Sequence, residues 1–362
     1  MKKLLYFLSF IILVGCTSVE PKLADLSIFY KPAENPILRA DSTLVFYDSL
    51  KKGNVKWQKA DVFNPAAIVK DGKVFLFTRS EDNPAAILGG RTSRIGIAIS
   101  EDGIHFKNHP TPVLYPDGNF NQYDYPGGCE DPRVVETEDG QYVMAFTSWN
   151  YQLPRLSIAI STDLFKWTKK GPAFATAYKG KFLNLASKSA SMVTRMKDGR
   201  PILAKLKGKY WMYWGEHFVN LAWSENLYDW YPLLDDKGEL RRAMSTRSGK
   251  FDSDLTECGP PALITDKGIL LIYNGKNSTN ENAAISLPKG TYSVGQVVFD
   301  ITDMEKIVFR TDTCILKPSL PHEVTGQYKA GTTFSEGLVY FKGKWILYYG
   351  TADSFVGVAI AQ

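Results

Sequence analysis

The stretch from Asn64 to Ser80 reads NPAAIVKDGKVFLFTRS: a proline-marked polar start, a short apolar run, an Asp71-Gly72 turn, and a second, more apolar run. Asp-Gly supplies the positive φ of a tight connection, and the flanking runs are rich in β-branched and aromatic residues, so the stretch is a β-hairpin. The same grammar returns as EDPRVVETEDGQYVMAFTSW from Glu130, KSASMVTRMKDGRPILAKL from Lys188, GPPALITDKGILLIYNG from Gly259 and SEGLVYFKGKWILYYG from Ser335. A third strand follows most copies: RIGIAIS, LSIAIS, VNLAWS and the terminal VGVAIAQ. Three of these end in S-x-D/N-x-x-x-F/W, which puts Phe106, Trp167 and Trp230 at the start of a fourth strand. Five copies of four strands, about 60 to 75 residues apart, predict an all-β chain folded as a five-bladed β-propeller. A β-sandwich or β-helix would not require five like hairpins, and no long amphipathic helix pattern competes.

Composition narrows the function. Of 362 residues 44% are apolar and 22% charged, enough for a real core and unlike a disordered chain. The formal charge is +5, without a basic stripe, which argues against a nucleic-acid partner. Aromatics are heavy, with 8 Trp, 19 Tyr and 20 Phe. The chain opens MKKLLYFLSFIILVGC, two lysines before an apolar run that is short for a bilayer span and suited to a secretory leader. Its L-V-G-C ending resembles a bacterial lipobox, which implies acylation of Cys16. Residues 1–15 are then a signal peptide, 16–35 a tether and N-terminal segment, and 36–362 the propeller. Thr17 rather than Asp after the cysteine favours an outer-membrane lipoprotein on the periplasmic or cell-surface face, held to the membrane by this anchor alone. The remaining Cys129, Cys258 and Cys314 show no C-x-x-C, and the four histidines no H-x-x-x-H, so buried thiols are expected and no structural zinc.

In a propeller the first strand of each blade lines the axis, and its start faces one mouth. Those starts carry Asn64, Glu130 with Asp131, Ser187 with Lys188, Glu257, and Ser335 with Glu336. One charge at a strand start is an ordinary solvated turn residue. Repeated at the equivalent point of several blades, such charges converge on a pocket. Carboxylates around a funnel, with aromatics to stack on sugar rings, point to carbohydrate. An inverting hydrolase needs an acid for the leaving oxygen and a second carboxylate for water, about 6.5–9.5 Å apart. An inverting phosphorylase needs the acid and a cluster of Arg and Lys for the phosphate dianion. Neither mechanism needs a metal or other cofactor.

Several motifs then carry a family resemblance. G-G-C-E-D-P-R at Gly127–Arg133, F-T-R-S-E-D at Phe77–Asp82, E-C-G-P-P-A at Glu257–Ala262, I-Y-N-G at Ile272–Gly275, Y-S-V-G-Q-V-V-F-D at Tyr292–Asp300 and Y-Y-G-T-A-D at Tyr348–Asp353 resemble glycoside hydrolase family 130, the mannoside phosphorylases and β-mannosidases. The set is in order over nearly the whole mature chain. The resemblance implies a five-bladed propeller and a proton donor at Asp131, the Asp of E-D-P-R. It implies a sugar-binding role for Asp353 and retains one phosphate-subsite cation, Lys188, with Arg155 a candidate second. It departs from the phosphorylases where K-Y-W-M-Y-W-G-E ends at Glu216 and where Glu257 replaces a neutral residue. Two glutamates in place of cations would repel phosphate and activate water, so Glu216 and Glu257 are the expected base pair.

Asn64, Arg79, Asp82, Arg94, Glu130, Arg133 and Lys188 are expected to bind substrate, Arg forks and carboxylates being suited to vicinal diols. Arg133 has the alternative of only ordering Asp131 or Glu130. Trp149, Tyr210, Trp211 and Trp214 are candidates for stacking or core, and Glu81, Glu323 and Glu336 are further candidate sugar ligands. The expected function is an inverting, exo-acting hydrolase that releases mannose from β-1,2-linked mannoside oligosaccharides. The alternatives are a β-mannoside phosphorylase and, in another class, a non-catalytic glycan-binding lipoprotein.

Overall fold

The computed structural model describes Leu26, residues 28–86 and residues 90–361. The predicted leader and Cys16 lie outside them. The described chain is all-β apart from the short helix Asn121–Asp124 and isolated 3-10 turns. Its strands pair in sequence as antiparallel meanders. The first runs Val62–Lys70, Lys73–Glu81, Ser93–Ser100 and Lys107–Asn108, and the second Gly128–Glu136, Tyr142–Trp149, Arg155–Ser161 and Thr168–Pro172. The fourth starts as Leu255–Cys258 and Ala262–Thr265 on Gly268–Lys276, followed by Tyr292–Phe299 and Ile307–Arg310.

The third meander departs from its expected hairpin. Ala190–Lys197 pairs with Arg200–Leu203 only over its far half. Near the axis its partner is Lys209–Trp214, which continues to Val219–Ser224 and Tyr231–Pro232. The fifth meander, Phe334–Phe341, Lys344–Thr351 and Phe355–Ala361, takes its outer strand from the other end of the chain, Phe29–Tyr30. Residues assigned to the N-terminal segment ahead of the body therefore belong to a sheet. Lys31 fixes them, its ammonium 2.7 Å from the buried Glu323 carboxylate.

The S-x-D/N motif explains how each third strand turns into a fourth. Asp102, Asp163 and Asn226 each accept two backbone N–H groups of the following turn through Oδ1. Ser100, Ser161 and Ser224 each cap the N–H three residues on. These are Asx and Ser turns, and they aim the next aromatic inward. Trp230 is fully buried there; its loss to alanine would cost about 3–5 kcal/mol.

Apolar packing is divided among five clusters, each shared by consecutive meanders. Met144 and Phe77 join second and first, Trp214 and Val143 third and second, Tyr273 and Tyr213 fourth and third. Leu347 and Val294 join fifth and fourth, and Val339 and Leu76 close fifth onto first. The first strands of the third and fourth meanders run in the same direction, pairing in parallel from Val193↔Ala262 to Arg195↔Ile264. Like ends of first strands are thereby brought together.

Candidate active site

At those ends the ladders are interrupted. Register breaks fall between Phe63 and Pro65, between Glu130 and Arg133, and between Ser335 and Gly337. Asn64 and Asp131 occupy the left-handed region with φ of 47° each, and Ser189 follows at 55° in the third meander. Asn and Asp enter that region more readily than most residues. A bulge re-aims side chains that a regular strand would send to opposite faces, so neighbours such as Glu130 and Asp131 share one hollow. Gly350 leaves room for this: a Cβ there would lie 2.0 Å from Asn64 Oδ1.

Asp131 is buried. Its Oδ1 accepts from Asn64 Nδ2 at 2.8 Å and from Arg79 Nη1 at 3.3 Å. Arg79 also reaches Glu130 at 2.9 Å and Glu81 at 2.8 Å, with its guanidinium over the Phe63 ring. Burial opposes the charged form of Asp131, but Arg79, Lys188, Arg133 and the Asn64 amide outweigh it and hold this carboxyl below its ordinary range. Glu130 goes the other way: burial, opposed by Arg79 but reinforced by Asp131 and Glu81, pushes it up to about 7. The adjacent pair thus keeps a proton near neutral pH. Asp353, beside them, is raised to about 6 by burial, against the pull of Arg79.

Across the hollow Lys188 Nζ lies 3.1 Å from Glu216 and 3.8 Å from Glu257. Glu257 is buried and accepts a hydrogen bond from Ser189 Oγ. Burial raises it to about 7, Lys188 pulling down and Glu216 pushing up. Glu216 is more open. With Lys188, Trp214, His217 and Arg242 it lines a cavity of about 430 Å³ over the third meander. Lys188 also feels the charge of Asp131, so the two halves form one electrostatic unit. Asn64, Arg79, Glu130, Asp131, Lys188, Glu216, Glu257 and Asp353 therefore meet as the sequence predicts.

Three expected substrate contacts are placed elsewhere. Arg94 is fully buried and spent on Asp48 at 2.7 Å and Asp82 at 2.9 Å. Asp82 also takes Lys51 at 2.8 Å, so this pair anchors the N-terminal hairpin Phe46–Val55 rather than a sugar. Strand parity is the reason: Arg94 pairs with Ser80, on the face opposite Arg79. Arg133 is buried, with Nε, Nη1 and Nη2 all directed at backbone carbonyls and Glu336. Arg155 is likewise used, by Leu183 O and Asn184 Oδ1, and is not a second phosphate cation. Glu323 holds Lys31 and Tyr349 in the last sheet. Trp211 and Trp214 are core, and Trp149 alone of those two-ring candidates is partly open. Glu81, a candidate sugar ligand from the sequence, is at the site, and so is Ser189, which the sequence reading missed; Glu81 shares the parity of Arg79.

Comparison with known proteins identifies the family. Residues 31–362 match the family model Glyco_hydro_130, described as beta-1,4-mannooligosaccharide phosphorylase. A 1,2-β-oligomannan phosphorylase of Thermoanaerobacter sp. (strain X514) is 31% identical over 317 residues, 86% of this chain and 94% of its own. A solved structure from Bacteroides thetaiotaomicron VPI-5482 superposes with a TM-score of 0.91 at 51% identity, covering 93% of this chain and 97% of that one. Another, at TM-score 0.90 and 48% identity over 92% of this chain and 93% of its own, comes from work describing glycoside hydrolases within the GH130 mannoside phosphorylases that target β-1,2 mannosidic linkages in Candida mannan. With a family model matched over nearly all of its described length and the E-D-P-R acid set in a carboxylate-lined hollow, this chain belongs to glycoside hydrolase family 130.

Proposed function

We propose that the protein is an inverting, exo-acting hydrolase of β-1,2-linked mannosides, built on a five-bladed β-propeller. The five meanders, their shared cores and the closure of the last by Phe29–Tyr30 support the propeller. One observation carries the hydrolytic reading. The cation that a phosphate would need, Lys188, stands between Glu216 and Glu257, and Arg79 is shared by Glu81, Glu130 and Asp131. A phosphate dianion entering there meets carboxylates in a low-dielectric hollow, where like charges repel strongly. Water meets a buried base instead: Glu257, raised to about 7, is matched to neutral pH. On this reading Glu257, with Glu216 beside it, takes the proton of a water attacking the anomeric carbon. Asp131, resupplied from the proton that its neighbour Glu130 retains near neutral pH, protonates the departing oxygen. The product is α-mannose.

A second reading, a β-mannoside phosphorylase, is favoured by the activity of the Thermoanaerobacter relative and by the presence of Lys188. Proton NMR of β-1,2-mannobiose turnover with and without phosphate separates the two. Hydrolysis gives α-mannose at the same rate in both, whereas phosphate-dependent mannose 1-phosphate overturns the proposal. We also propose a lipid anchor at Cys16 that holds the body at the outer membrane; loss of detergent-phase partitioning on Cys16→Ser is the expected result, and unchanged partitioning refutes it.

A further inference from the structure

Arg133 has a geometry that substrate binding does not explain. Its side chain is buried, and its donors diverge toward three sheets. Nη1 donates to the carbonyl of Asp131 at 3.0 Å and lies 2.8 Å from Glu336 Oε1 in the fifth meander. Nη2 donates to Cys258 O at 2.8 Å and Nε to Gly259 O at 3.3 Å in the fourth. Cys258 and Gly259 directly follow Glu257 in the chain. One guanidinium thus grips the backbone of the proton donor and the backbone next to the water-activating carboxylate.

The ladder leaves those carbonyls free because the register breaks at Asp131 and the strand is interrupted after Cys258. A planar fork with five donors can serve them together, and a lysine ammonium cannot reach them in the same directions. Inverting hydrolysis depends on the acid–base separation, and a misplacement of about 1 Å can lower the rate about a hundredfold.

We infer that Arg133 is a positioning residue that fixes the distance between Asp131 and Glu257 across three sheets. It acts on turnover and does not hold the sugar. The inference rests on the hydrolytic reading above, and the two fail separately: that reading in the phosphate dependence of the wild type, this one in the variants. Arg133→Lys keeps the charge beside Glu336 but loses the fork; Arg133→Ala leaves a guanidinium-sized hole.

The test is kcat and KM on β-1,2-mannobiose per folded molecule, with folding followed by melting temperature, and with guanidinium added back at millimolar concentration. For Arg133→Lys the expected result is a kcat lower by about a hundredfold with KM within about threefold of wild type. For Arg133→Ala, added guanidinium restores kcat at least tenfold without changing KM. A rise in KM at unchanged kcat would return Arg133 to sugar binding. Wild-type kcat in the folded fraction, absence of rescue, or failure of both variants to fold would make it a structural strut only, and each overturns the inference.

Discussion

Lys188→Met tests the electrostatic core of the site most directly. The substitution keeps an unbranched stem of nearly the same length and removes one charge 3.8 Å from Glu257. At that separation, with an effective dielectric of about 20, the interaction is worth about 4 kcal/mol. At roughly 1.4 kcal/mol per pH unit this sets a ceiling of about three units on the change in the Glu257 titration. The direction is upward: burial already holds Glu257 at about 7, and Lys188 is the main force opposing it. Glu216, which loses its 3.1 Å partner, then repels Glu257 unscreened. A base works only when deprotonated, and Glu130, which holds the proton for the acid, also sits at about 7 and is also pulled down by Lys188. The wild-type kcat/KM profile is therefore a bell centred at about 7, and in Lys188→Met its centre moves up by at least about half a unit. The assay is the pH profile of mannose release between pH 4.5 and 9.5, a window of about five units around that centre. A bell centre within about 0.2 unit of wild type would show that Glu257 is not the group that must lose its proton.

Three further outcomes are expected. Asp131→Asn removes the proton donor at constant size; turnover falls by about 10²–10⁴ while calorimetry still detects mannobiose binding, and substantial residual turnover would move the acid elsewhere. Arg94→Ala breaks a buried ion-pair network and lowers stability by about 3–5 kcal/mol, with kcat and KM of the folded fraction unchanged. A raised KM with normal stability would restore its sugar-binding role. Glu257 is held at about 7 against an ordinary 4.5, so the wild type loses stability as pH rises through that range. Glu257→Gln lacks this loss and is more stable at pH 8.5 by on the order of 3 kcal/mol but not at pH 5, read by thermal melts; equal pH slopes would refute it.

The hairpins were legible because each rests on local chemistry: an Asp-Gly or Lys-Gly turn between apolar runs. The outer strand of the last meander was not, because Phe29–Tyr30 is two residues long and its partner Ala361 lies at the far end of the chain. In the third meander the Asp198-Gly199 turn is real, but the apolar run Lys209–Trp214 takes the axial half of the pairing. Site residues followed the same division. Motif position brought Asp131, Lys188, Glu216 and Glu257 together. Arg94 was misplaced because residue type was weighed without strand parity, whereas Arg79, Glu81 and Ser93 share a face and hydrogen-bond to one another. Arg133 shares a motif with Asp131, yet only the fold shows that its fork also reaches the carbonyls of Cys258 and Gly259 in a distant sheet.

The same register breaks that aim the carboxyls inward create a second requirement. Each interruption leaves axial carbonyls without a ladder partner, and a buried orphan costs about 1–3 kcal/mol. Neighbouring sheets supply the partners. Ser191 Oγ donates to Gly259 O at 3.0 Å, and Asn274 Nδ2 donates to Ser335 O at 3.1 Å while its Oδ1 accepts from Ser335 N at 2.7 Å. Arg133 serves two more, Asp131 O and Cys258 O, and shares Gly259 O with Ser191. A buried polar ring around the axis is therefore what the broken ladders need, and its members are not all ligands for sugar. The division runs by atom: side chains that donate to main-chain oxygens maintain the bulges, while those that meet only other side chains, Arg79, Lys188 and the carboxyls about them, are left to face a substrate. Left-handed backbone at Asn64 and Asp131 adds about 1–3 kcal/mol of strain each. A fold that carries this strain at Asp131, and holds that carboxyl through Asn64 of the neighbouring meander, has traded stability for the aim of two adjacent carboxyls into one hollow.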